Sequence, residues 1–421
     1  MSKALLTRFL DRHITRGTLA LQFADGSMAR FGHAAAGFPE VAIRFSDDRV
    51  PRDILLDIRL GAAEAFMAGR LDLVQGGIME LVQLLRANAP WERGGELRSP
   101  RLGRRLRNAA GFALQSVNDR FSSRRNVAHH YDIGNDLYRL MLDADHWQYS
   151  CAYWDETATT LGQAQEAKLA HIAGKLALGE GQRVLDIGCG WGGMAIYLAR
   201  HEKVQVHGIT LSEEQLALAR ERAEAAGVAD RVSFSLTDYR DLAAQGGRFD
   251  RIVSVGMFEH VGRPQFETFF RCCANLLADD GVMLLHTIGR FGPPGSTDAF
   301  TRKYIFPGGY IPALSETVAA SEKCRLIASD VETLRLHYAR TLRAWYANCE
   351  ANRDAIVARF DERFYRMWTF YLAGATAAFE HGGMGNYQIQ FLRQRRAVPI
   401  TRGYMARAEQ RLRPEAGLPA Q

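Results

Sequence analysis

No apolar run in this chain is long enough to cross a bilayer, which excludes a helical channel, carrier or anchored receptor. Charges fall within Met1–Arg8, where a secretory leader would need its apolar core, so a cytosolic protein is expected. Cysteine is scarce. The six present (Cys151, Cys189, Cys272, Cys273, Cys324, Cys349) show no C-x-x-C spacing, so free thiols and no zinc site are expected. Internal repeats and low-complexity tracts are lacking too, which excludes solenoids and extended polar arrays. The basic excess is small, a net charge of +6, and no aromatic-interleaved basic pattern accompanies it, so no nucleic-acid partner is expected. What remains is an ordinary globular composition, 47% hydrophobic and 24% charged, in 421 residues, enough for about two or three domains.

Glycine is where the chain becomes specific. Val184-Leu185-Asp186-Ile187 is a short apolar run containing an acid, and Gly188-Cys189-Gly190-Trp191-Gly192-Gly193 follows. Met194 to His201 then reads as a helix. A strand–loop–helix unit of this kind lets a ligand approach the backbone, because glycine carries no Cβ. The pattern is G-x-G-x-G-G, which favours a nucleoside ligand over a dinucleotide. It resembles the nucleotide loop of S-adenosylmethionine (SAM)-dependent methyltransferases. A tight strand-to-helix turn in any α/β protein is the alternative.

Around this loop the chain divides by pattern. Residues 1–95 read as a small α+β domain, with strands Leu19–Phe23 and Val41–Phe45 and helices Asp53–Ala68 and Gly77–Asn88. Residues 96–125 read as a basic linker helix, in which Arg98, Arg101, Arg104, Arg105 and Arg107 accompany apolar residues at helical spacing. Such a helix suits an anionic membrane surface, or else a solvated linker. Residues 126–400 alternate strands and helices: Arg183–Ile187, Gly192–His201, Val204–Ile209, Glu213–Ala226, Val232–Leu236, a loop, Arg251–Val255, Gln265–Leu277 and Val282–Ile288. Near-continuous apolar strands predict a parallel sheet covered on both faces, a Rossmann-like α/β fold. Ligands in such sheets sit at the carboxyl ends of the strands, here a rim of Gly188, Thr210, Asp238, Glu259 and His286. Residues 401–421 are a C-terminal tail.

Further segments occur in a fixed order. They are His129-His130-Tyr131-Asp132-Ile133-Gly134-Asn135-Asp136, Tyr149-Ser150-Cys151-Ala152-Tyr153-Trp154, Gly256-Met257-Phe258-Glu259-His260-Val261-Gly262, Leu285-His286-Thr287-Ile288-Gly289, Tyr304-Ile305-Phe306-Pro307-Gly308-Gly309 and His337-Tyr338-Ala339-Arg340-Thr341-Leu342. Together they resemble the cyclopropane-fatty-acid synthase family, related to the mycolic acid cyclopropane synthases, over roughly residues 125 to 395. The resemblance implies transfer of the SAM methyl carbon to the double bond of an unsaturated phospholipid acyl chain, followed by ring closure. It implies an enzyme peripherally associated with the inner face of the membrane, and a homodimer is possible. A poorly nucleophilic alkene must be aligned with the methyl group, the cation formed must be kept from water, and a weak base must stand near the methyl carbon.

In the family the base is bound bicarbonate, and the matching positions are Cys151, Glu259, His286, Ile288 and Tyr338. Glu259 would accept the hydroxyl of the anion, while His286, Tyr338 and the N–H groups of Cys151 and Ile288 would donate to its oxygens. Each also has a plain structural reading: a buried thiol, a carboxylate capping the helix near Pro264, a histidine at a strand end, an interface aromatic. The resemblance carries SAM contacts to Tyr131, Tyr149, Ser150, Gly188, Gly190, Thr210, Leu211, Gln215, Asp238 and Tyr239. Gln215 would hold the ribose hydroxyls, although Ser212-Glu213-Glu214-Gln215 is also a capping box. Phe291-Gly292-Pro293-Pro294-Gly295 and the aromatics Trp345, Phe364, Trp368, Phe370 and Tyr371 suit an acyl tunnel or a packed helical core equally. A methylene or methyl-branched product, a small-molecule N- or O-methyltransferase and a non-catalytic SAM-binding regulator remain the competing functions.

Overall fold

The protein is described by a computed structural model over residues 1–95 and 134–413. The arginine-rich stretch and Tyr131 lie outside the described residues. The described chain separates into two compact units. One holds residues 1–95, 297–307 and 342–384; the other holds 134–296, 308–341 and 385–413.

The first unit is built on a four-stranded sheet in the order β2-β1-β3-β4, with β1 Gly17–Gln22, β2 Met28–His33, β3 Glu40–Phe45 and β4 Leu71–Gln75. β1 and β2 form an antiparallel hairpin, β1 and β3 run parallel, and β3 and β4 run antiparallel. The single helix expected over Asp53–Ala68 is two helices, Val50–Leu56 and Ile58–Met67. Asp57 stands between them in an extended conformation and accepts the N–H groups of Arg59 and Leu60, so the second helix starts on its own cap. Gly61 makes the sharp junction possible: a Cβ there would lie 2.2 Å from the carbonyl oxygen of Asp53. The aromatic-rich helices of the C-terminal half belong to this unit. Trp345 and Trp368 are fully buried, Phe370 packs against Phe66 and Phe300, and Phe364 stacks on Trp368. Trp345, Trp368 and Tyr371 are core residues, and Phe364 and Phe370 are half-buried.

The second unit carries a seven-stranded sheet in the order β10-β11-β9-β8-β5-β6-β7. Its strands are β5 Arg183–Ile187, β6 Gln205–Thr210, β7 Val232–Leu236, β8 Phe249–Val255, β9 Leu277–Arg290, β10 Ile327–Leu334 and β11 Met384–Leu392. β9, β8, β5, β6 and β7 run parallel, as expected. β10 and β11 pair antiparallel at one edge, so the sheet is mixed rather than purely parallel. The α/β class holds. Val184, Leu185, Ile252, Val253 and Leu284 are wholly inaccessible, and each contributes roughly 1.5–3 kcal/mol by burial. The expected loop after β7 contains a helix, Tyr239–Gln245, started by Asp238 accepting the Arg240 N–H. Strand order reverses at β5, whose neighbours β8 and β6 lie on opposite sides, and this opens a crevice at its carboxyl end.

Candidate active site

A cleft of about 1100 Å³, including the part open to solvent, lies at that crevice. Its walls contain nine of the ten residues expected to hold SAM: Tyr149, Ser150, Gly188, Gly190, Thr210, Leu211, Gln215, Asp238 and Tyr239. Gly188 and Gly190 follow β5 directly. Gly190 has φ +54° and nothing within 4 Å of where a Cβ would stand, so its open side faces free space. The tenth, Tyr131, is outside the described residues.

Local hydrogen bonds decide how the polar groups are presented. Ser212 caps the helix Glu213–Ala225 by accepting the Gln215 N–H at 3.3 Å. The reciprocal half of the capping box is absent. Ser212 donates its own N–H to Thr210 Oγ1 at 3.2 Å, and Thr210 Oγ1 donates to Gln215 Oε1 at 2.9 Å. The Gln215 carboxamide is therefore held on the cleft wall by Thr210 and is not consumed by the cap. Asp238 is gripped by Arg240, which donates through its N–H and Nε to Oδ1 and through Nη2 to Oδ2 at 2.6 Å.

Sequence reasoning missed Arg240, and it read Asp186 only as part of the loop pattern. Both line the cleft. Asp186 is buried, its Oδ2 has no hydrogen-bond partner, and burial pushes its carboxyl up to about 7 against the pull of Lys168. Lys168 is wholly buried under the same wall. It donates to Gln148 Oε1 and, at 3.1 Å, to Ser150 Oγ, and burial lowers its ammonium to about 7. A helical lysine three positions after a buried glutamine, Gln165, carried no recognisable signal.

The five residues expected at the base site are all outside the cleft lining. Glu259 and Ile288 meet directly: the Ile288 N–H donates to Glu259 Oε1 at 2.5 Å. Glu259 Oε2 is buried without a partner, and desolvation pushes the carboxyl up to about 7. Glu259 does not cap the following helix, Phe266–Leu276, which has no side-chain cap. His286 precedes Ile288 by two on β9, hence on the same face of the strand. Both its ring nitrogens face carboxamides from β11: Nδ1 lies 3.1 Å from Gln388 and Nε2 lies 3.3 Å from Asn386. Burial holds the imidazole far below its usual range, so it is neutral.

Cys151 and Tyr338 lie on segments joined by a different set of bonds. Thr341 Oγ1 accepts from the Ala152 N–H and from Trp154 Nε1, both at 3.1 Å, and the Trp154 N–H donates to His337 Nδ1 at 2.9 Å. The Tyr149–Trp154 segment is thereby tied to the first turn of the helix His337–Ala351, which carries Tyr338. The Cys151 thiol is buried, points to the Ala152 carbonyl at 3.3 Å and is shifted upward by desolvation, the reverse of a nucleophilic cysteine.

The family model for mycolic acid cyclopropane synthetase matches residues 118–389. The cyclopropane-fatty-acyl-phospholipid synthase of Escherichia coli strain K12 is 38% identical over 377 residues, 88% of this chain and 93% of that protein. A probable fatty acid methyltransferase of Pseudomonas putida is 43% identical over 277 residues, 64% of this chain and 70% of that protein. The mycolic acid cyclopropane synthase CmaA1, solved with SAH and CTAB, superposes with a TM-score of 0.60 at 33% identity, over 64% of this chain and 97% of that one. The ordered motifs, the crevice at β5 and these matches agree: the chain belongs to the mycolic acid cyclopropane synthetase family.

Proposed function

We propose that this protein is a cyclopropane-fatty-acyl-phospholipid synthase, which transfers the SAM methyl carbon to the double bond of an unsaturated phospholipid acyl chain and closes the ring with bicarbonate as base. The observation that carries the reading is Glu259, a buried carboxylate with one oxygen held by Ile288 and the other without a partner. A buried oxygen in that state calls for a donor, and the hydroxyl of a small anion supplies one. Similarity along nearly the whole E. coli synthase supports the same reaction.

SAM fits the cleft by its open glycine side, by the unpartnered Asp186 oxygen and by the preset Gln215 amide. Bound there, it supplies an electrophilic methyl carbon. Gly188 and Gly190 would admit its amino-acid end to the backbone, with Tyr149 and Ser150 closing over it. Gln215, beside Thr210 and Leu211, would take the ribose hydroxyls, and Asp238 with Tyr239 would frame the adenine. Bicarbonate, when bound, supplies a weak base. Glu259 would accept its hydroxyl, and His286, Tyr338 and the N–H groups of Cys151 and Ile288 would donate to it. The Ile288 N–H would then pass from Glu259 to the anion. Cys151, Glu259, His286 and Tyr338 are all buried, which suits chemistry that water would divert. No helix among the described residues is long and apolar enough to cross a membrane, so the lipid would be met at the bilayer surface.

A second reading, methyl transfer that ends in a methylene or methyl-branched chain, is favoured by the name of the P. putida relative. One experiment separates them. The protein is incubated with SAM and vesicles of a cis-unsaturated phospholipid, and the acyl chains are examined by mass spectrometry before and after mild hydrogenation. A gain of one CH₂ that takes up no hydrogen is expected. A product that takes up hydrogen supports the second reading, and lipid without added carbon sinks both.

A further inference from the structure

A buried chain of charges reaches His286 from behind. His171 lies between two carboxylates: Nδ1 meets Glu409 Oε1 at 2.7 Å and Nε2 meets Glu332 Oε2 at 2.6 Å. Lys175, one turn along the same helix, also donates to Glu332 and gives a second hydrogen bond, 2.7 Å long, to Gln388 Oε1. Gln388 in turn faces His286 Nδ1 at 3.1 Å. Lys175, Gln388, Asn386 and His286 are all at most 1% exposed, so no bulk water competes for these groups.

The donor and acceptor inventory leaves this chain one solution. An ammonium only donates, so the Gln388 atom facing Lys175 is its oxygen. The atom facing His286 is then the amide NH₂, and Nδ1 must receive it with a lone pair. A neutral imidazole has one N–H and one lone pair, so its proton is on Nε2. Nε2 lies 3.3 Å from the Asn386 carboxamide, whose Oδ1 has no other partner. The amide rotamer that presents oxygen to Nε2–H satisfies both groups.

We propose that Gln388, oriented by the Lys175–Glu332 pair, and Asn386 are positioning residues that fix His286 as the neutral Nε2–H tautomer. His286 then donates only through Nε2–H, which Asn386 accepts and which would pass to the anion when one binds. Its Nδ1 is closed off, and the ring is not itself the base. This rests on the reading of His286 as an anion-holding residue given above. It adds what sets the direction of that hydrogen bond, with the determinant placed on β11, between β10 and β9, and on a helix outside the cleft.

The test reads the tautomer directly. Long-range proton–nitrogen correlation spectra of protein labelled with ¹⁵N-histidine, with His286 assigned by its loss in His286→Gln, should show a neutral Nε2–H ring. An Nδ1–H ring in the parent protein overturns the proposal. Gln388→Glu keeps the side-chain shape and the contact with Lys175 but replaces the NH₂ donor by an acceptor. It should move the proton to Nδ1 and lower kcat on the order of tenfold or more, with KM for SAM unchanged. A tautomer that moves while kcat stays at the parent value also overturns it. Parent-level turnover in His286→Gln withdraws the role of His286 in the reaction while leaving the spectroscopic result standing, so the two failures are distinguishable.

Discussion

Glu259 accepts the Ile288 N–H through Oε1 at 2.5 Å and leaves Oε2 buried with no partner. One oxygen is committed to the scaffold and the other is presented. Glu259→Gln tests which matters. The amide oxygen can keep the Ile288 bond, while an NH₂ replaces the presented acceptor. Turnover on unsaturated phospholipid vesicles should fall by about 10²-fold or more, and calorimetric affinity for SAM should persist, since Glu259 is not on the cleft wall. Unchanged turnover would remove Glu259 from the reaction, and lost SAM affinity would reassign it to the cofactor.

The same burial gives a pH dependence. The carboxyl of Glu259 sits at about 7 in the folded protein against an ordinary 4.5. Accepting a hydroxyl requires the ionised form, so activity should rise with pH through about 7. Asp186 titrates near the same value, so the control is Glu259→Gln, whose residual rate should lack the step attributed to Glu259. Stability moves the other way. A folded-state value above the unfolded one means that the native protein binds the extra proton, so this contribution is complete below 4.5 and is lost as pH rises through 7. A pH–rate profile with no rise through this range would show that the carboxylate is not the form used.

At Gly190 the backbone is in the left-handed region with open space where a side chain would go. A valine there costs roughly 1–2 kcal/mol of backbone strain, and its Cβ meets no protein atom. Gly190→Val should therefore remain folded by circular dichroism, while its Kd for SAM rises by at least about tenfold, equivalent to roughly 1.4 kcal/mol. A folded variant with parental affinity would mean that the glycine loop is not the cofactor's seat.

How far the sequence could be read depended on whether a residue's role is local. The run from Val184 to Gly193 specifies strand, turn and helix from its own composition, and β5 and the helix after it lie where the pattern puts them. Ser212 and Gln215 were readable as a cap or a ligand pair, but only the side chain of Thr210 decides between them. β11 was not foreseen. Asn386, Gln388 and Gln390 alternate with Tyr387, Ile389 and Phe391, the pattern of a half-exposed strand, yet both sets are buried. The polar set is matched by Lys175, His286 and other groups far away in sequence, and no local rule supplies those partners. The helix Tyr239–Gln245 was hidden for a related reason: its start is an Asp238 that also serves the cleft wall.

His171 offers the last test, because its charge state is opposite to that of His286 in the same network. Carboxylates on both nitrogens require both to donate, so the ring is an imidazolium; desolvation opposes that charge, but the hydrogen bonds it gives to Glu332 and Glu409 outweigh it and raise its pKa above 6.5. The sign follows from linkage: a raised folded-state value stabilises the protein fully below the unfolded value near 6.5 and ceases to do so as pH rises through the folded one. Glu409 comes from the helix Gly403–Leu412, so this charge also ties the end of the described chain to the helix Leu161–Leu176. His171→Gln keeps polar reach but cannot carry the charge. Breaking a buried pair of this kind costs on the order of 3–5 kcal/mol. The Tm gap between parent and variant should be widest at pH 6 and shrink toward pH 9, and proteolysis within Gly403–Leu412 should be faster in the variant at the lower pH. A gap that is constant across that range would mean that His171 is held neutral, and that one of the two carboxyl groups carries the proton instead.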